Sequence, residues 1–112
     1  MVRIHVSRDL KTKRFKSVEI TGHAESGPYG QDLVCAAVSA VSIGGLNAAM
    51  ELSGQTLDIE QNEHEGGYLA CKIPASVSDA EEEKVQLLLE AMLSSLRTIV
   101  RQYGEFVSYS EN

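Results

Sequence analysis

Two side chains in this sequence are suited to covalent chemistry in concert, the imidazole of His23 and the thiol of Cys35. His23 closes an expected β-strand. Cys35 falls in the first turn of an expected helix, after a loop punctuated by Gly27, Pro28 and Gly30. A helix N-terminus carries partial positive charge and unpaired N–H groups, which favour a thiolate over a thiol. A histidine folded back over that turn could take the thiol proton and later return it to a leaving amine. The residues alone leave an alternative open, because a free cysteine is often just a small buried hydrophobe.

The flanking residues sharpen the choice. Gly22-His23-Ala24 is followed by Asp32-Leu33-Val34-Cys35-Ala36-Ala37-Val38-Ser39. This pattern resembles the Gly-His-Ala…Asp-x-Val-Cys-Ala-x-x-Ser signature of the ribosomal-processing cysteine protease family, Prp, and the likeness extends over the whole chain in length and element order. The resemblance implies a cysteine endopeptidase with His23 and Cys35 as its catalytic pair and no cofactor or metal. It implies a substrate too: the short N-terminal extension of a large-subunit ribosomal protein, cut after an aromatic-rich stretch during ribosome assembly. The resemblance further implies a homodimer.

Gly22, Asp32, Ser39 and Tyr29 are the candidate supporting residues. Asp32 is an expected N-cap, accepting from the N–H of Val34 or Cys35. Its charge beside the sulfur works against a thiolate, so a structural role or the orientation of His23 suits it better than activation. Ser39 lies one turn beyond Cys35 on the same face. It could bond the sulfur, position a substrate carbonyl, or bond back to the carbonyl of residue 35. Tyr29 reads as a lid residue over bound peptide or as a loop anchor. The loop from residue 24 to 31 is expected to act as a substrate-gated lid.

At 112 residues, one domain spanning the chain is the natural count. The 43% hydrophobic share excludes a disordered chain, and the scarcity of aromatics leaves Val, Ile, Leu and Ala to build the core. A net charge of −6 argues against direct nucleic-acid binding and suits a basic partner, or simply solubility. Cys35 and Cys71 lack metal-ligand spacing, and His64 has no cluster around it. The apolar stretch in the thirties and forties is interrupted by Ser39, Ser42, Gly44, Gly45 and Asn47, so no membrane span is expected. A cytoplasmic protein with reduced thiols follows.

The elements that must position the pair are legible in order. Residues 2–7 and 15–21 alternate apolar and polar, an expected hairpin with Val2, Ile4, Val6, Val18 and Ile20 inward. By the same parity His23 emerges at the strand end, away from the core face, and His5 is a solvated strand residue. The helix beginning at Asp32 runs to about Ser53 and stops at Gly54. It is apolar on most faces, which predicts burial on more than one side and, with Gly44-Gly45 allowing close approach, a homodimer. A second hairpin, residues 56–61 and 68–73, is expected to turn Leu57, Ile59, Leu69, Cys71 and Ile73 inward. Ser78 opens a second helix with a capping box available and a solvated acidic start, Glu81-Glu82-Glu83. Its apolar stripe runs through Val85, Leu88, Leu89, Met92, Leu96, Ile99, Val100 and Tyr103 to a stop at Gly104. Phe106, Val107 and Tyr109 suggest a last strand. The order ββαββαβ gives an α/β (α+β) domain, a mainly antiparallel sheet packed with two helices.

Two rival readings stand beside proteolysis. One is a non-catalytic ribosome-associated adaptor that merely retains the pair. The other is a thiol redox or acyl-carrying protein, against which the inward placement of Cys71 counts, since it leaves no resolving thiol.

Overall fold

Alternating apolar and polar residues build a sheet whose one face is greasy and whose other face is wet. In the computed structural model, which describes residues 1–24, 27, 32–62 and 67–112, that sheet has five strands in the order β3-β4-β2-β1-β5. The strands are β1 (Val2–Arg8), β2 (Phe15–Thr21), β3 (Asp58–Gln61), β4 (Tyr68–Lys72) and β5 (Val107–Glu111). The helices are α1 (Leu33–Ser53) and α2 (Asp79–Gln102), so the expected order ββαββαβ holds. β1 pairs antiparallel with β2, β2 with β4, and β3 with β4, while β5 runs parallel to β1. Both helices cover the face carrying Val2, Ile4, Val6, Val18, Leu69 and Cys71, all of them buried.

The two helices lie against each other. Gly45 is the contact that lets them approach, since a Cβ there would fall 2.5 Å from Cγ of Met92. Gly44 points the other way, exposed, with nothing within 4 Å of where its Cβ would stand. The buried residues of α1 are Val34, Val38, Ser42, Leu46, Ala49 and Ser53, a single stripe. The expected burial on more than one side is therefore corrected. One layer of two helices leaves the far side of α1 in solvent, with Leu33 and Leu52 exposed. By length and apolarity α1 could cross a membrane, yet here its stripe is core. It ends as expected at Gly54, at φ 71°.

α2 departs from expectation in four details. The Ser78 side chain makes no capping bond; its backbone N–H instead donates to Oε1 of Gln55 at 3.0 Å. The acidic start is not merely solvated, because Glu82 and Glu83 both pair with Arg14. The helix ends at Gln102 with Tyr103 as its cap, so Gly104 is not the stop, and Tyr103 is exposed rather than part of the stripe. The stripe also contains Leu93 and the polar Gln86. Gln86 Oε1 accepts the N–H of Phe15 and its Nε2 donates to the Phe15 carbonyl, both at 2.9 Å. That amide satisfies both backbone groups of a buried strand residue, which explains a glutamine in the core.

The second hairpin also differs. β3 begins at Asp58, and all four of its residues are exposed, Ile59 included. Ile59 shares the inward face with its buried partner Cys71, yet on the outermost strand it stays 38% exposed. Parity chooses a face; only a neighbour buries it.

Candidate active site

The site is assembled at one end of the sheet, where β2 ends, β4 begins and α1 starts. Gly22 follows β2 with φ 88°, and its N–H donates to the carbonyl of Gly67 at 2.8 Å. A Cβ at Gly22 would meet the Met1 carbonyl oxygen at 2.3 Å, so only glycine fits. The strand parity carries on past it. His23 is exposed and Ala24 is buried.

Asp32 caps α1 in extended conformation, and its Oδ1 accepts the N–H of Cys35 at 2.9 Å. Cys35 therefore stands third in the helix, where the dipole acts on it. Its Sγ is 4.0 Å from Nδ1 of His23. That is the outer limit for a hydrogen bond to sulfur, and the pair in a free enzyme is commonly longer than in its substrate complex. The imidazole rests on Gly67, where a Cβ would fall 2.6 Å from Nε2.

Cys35 and Ser39 line one small cleft of about 90 Å³, together with Gly22, Asn62, Gly67 and Tyr68. Ser39 is exposed one helical turn below the sulfur. A wider groove of about 520 Å³ lies along β3 and β4, away from the pair. Cys71 is buried in the core, and burial, with Asp58 nearby, pushes its thiol up to about 12. A thiol so disfavoured as thiolate is no nucleophile. His5 is exposed on its strand and lies 2.8 Å from the Ser110 hydroxyl. Tyr29 and the rest of the expected lid, apart from Ala24 and Gly27, lie outside the described residues, as does His64.

The structure thus brings Gly22, His23, Asp32, Cys35 and Ser39 to one end of the sheet. Gly67 is the residue that sequence reasoning missed. In the sequence Gly67 is only a residue between the two expected strands of the second hairpin, and its service to His23 depends on strand pairing.

A sequence model of the family described as cysteine protease Prp matches residues 1–108. The chain belongs to the Prp family of cysteine proteases. It is 42% identical over 102 residues to the ribosomal processing cysteine protease Prp of Bacillus subtilis (strain 168), covering 89% of this chain and 88% of that one. Two solved structures of the ribosomal processing protease Prp from S. aureus cover 100% of both chains. One, with a covalently linked product peptide, aligns at TM-score 0.88 and 31% identity. The other, with a substrate peptide, aligns at 0.82 and 30%. A Prp protease of this fold therefore takes peptide, and this chain is a cysteine protease.

Proposed function

We propose that the chain removes a short N-terminal extension from a large-subunit ribosomal protein, with Cys35 as nucleophile and His23 as its proton carrier. The observation that carries this reading is the 4.0 Å approach of His23 Nδ1 to Cys35 Sγ at the start of α1. The sulfur attacks the scissile carbonyl, and the imidazole takes the thiol proton and gives it to the departing amine. Water then attacks the thioester, its proton passing to His23, and the acyl half leaves as a free acid. The N–H of Cys35 already donates to Asp32, so other backbone N–H groups around the cleft hold the oxyanion. Asp32 and Ser39 support this centre, Asp32 by fixing the first turn and Ser39 from the cleft wall. The chemistry suits the cytoplasm, where thiols stay reduced.

Incubating the purified protein with a peptide spanning the extension and its junction tests the reading. A single cut releasing the extension supports it. An intact peptide, or Cys35 oxidised without hydrolysis, supports the adaptor or the redox reading instead.

We further infer a homodimer through the outer side of α1, where Leu33 and Leu52 are exposed and Gly44 leaves room for close approach. Sedimentation at micromolar concentration should give twice the chain mass, and a monomer would refute the pairing.

A further inference from the structure

We propose that substrate is held as an added strand on the outer edge of β3, the outermost strand among the described residues, as an extended peptide carrying Lys or Arg. The proposal rests on the protease reading above. In an antiparallel ladder, alternate residues turn their N–H and C=O toward the partner strand and the rest turn away. The N–H of Asn62 donates to the Tyr68 carbonyl at 3.2 Å, in register with the pairs Glu60–Ala70 and Asp58–Lys72. Those three residues of the hairpin therefore face β4. The backbone groups of Ile59 and Gln61 face outward, on the outermost strand of the sheet. An edge of this kind is a template for an incoming chain.

Two observations select the occupant. The first is continuity: Gln61 and Asn62 line the same cleft as Cys35, so a peptide paired along β3 is led to the sulfur. The second is charge. Glu19, Ala70 and Glu60 form one row across β2, β4 and β3 on the face without helices, placing a carboxylate on each side of an alanine. They line the groove of about 520 Å³ beside the edge. Asp58 stands opposite Lys72 and is offset by it, whereas Glu60 stands opposite the uncharged Ala70 and accepts a hydrogen bond from the neutral Tyr68 hydroxyl, so no cation offsets it there among the described residues. A cationic side chain on the peptide residue that comes to lie opposite Glu60, on the same face, would meet that carboxylate across one strand spacing. Main-chain pairing then gives affinity, and the charge selects basic segments.

The test uses the wild-type protein and the junction peptide with one backbone nitrogen methylated at a time. Strand addition predicts losses of about 10-fold in kcat/KM at alternate residues, with little change between them, as expected for one lost hydrogen bond each. A uniform or aperiodic profile overturns the proposal. Ile59→Pro removes only an outward N–H, a change an edge strand accommodates. It should raise KM with kcat retained, and an unchanged KM in a folded variant overturns the proposal. Should that variant fail to fold, the methylation profile of the wild type decides alone. Glu60→Lys should weaken the Lys/Arg peptide and spare its Gln-substituted form; equal effects on both would refute the charge selection. Failure to cut the unmodified peptide would instead overturn the protease reading itself.

Discussion

Gly67 and His23 are packed so closely that a Cβ on residue 67 would stand 2.6 Å from the imidazole Nε2. Gly67 also has φ 72°, a region in which a side chain costs roughly 1–2 kcal/mol. The ring that faces Cys35 thus has its back against a residue that can only be glycine. Gly67→Ala should lower kcat on the order of tenfold or more by displacing the ring, beyond its loss of stability. Initial rates at a temperature where the variant remains folded check this. Wild-type kcat in the variant would show that the ring is not held there.

Asp32 fixes the first turn of α1 through the N–H of Cys35. Asp32→Ala should cost about 1 kcal/mol in a denaturant titration, and Asp32→Asn, which keeps an acceptor oxygen, only a fraction of that. Equal losses in the two variants would show that the carboxylate's charge, not the cap, is what α1 needs.

The positions of His23, Asp32 and Cys35 were legible because their signals are local. A strand parity, a cap residue and an N3 position are properties of neighbouring residues. The exposure of Ile59 was not legible because alternation names a face without saying how far that face is covered. Gln86 escaped notice because its partners, the backbone groups of Phe15, belong to another element brought near by folding. The same holds for Gly67, whose neighbour His23 arrives through pairing of β2 with β4. The capping box at Ser78 was a local signal that tertiary contact overrode, Gln55 taking the N–H there.

Acid should weaken the fold through the far end of the sheet. The Arg8 guanidinium bonds Glu90 on α2 and Glu111 on β5, and it holds both carboxyls below the usual carboxylate range. Carboxyls depressed in the folded state stabilise it above their unfolded value, and that contribution is lost as pH falls through the folded values. Melting temperature should therefore drop below about pH 4.5, the ordinary glutamate value. Arg8→Met should lower the neutral-pH Tm and flatten that acid limb. An acid limb as steep as wild type in the variant would place the titrating groups elsewhere.

The proposed cleavage requires one thiol, Cys35, and not the other, Cys71. Cleavage of the extended ribosomal peptide, followed by mass spectrometry with wild type, Cys35→Ala and Cys71→Ala side by side, tests it most directly. Cys71 is buried and its thiol is pushed up to about 12, so Cys71→Ala should cut at near the wild-type rate once folded. Cys35→Ala should release no product while keeping its fold. Product formed at the wild-type rate by Cys35→Ala would rule out Cys35 as the nucleophile.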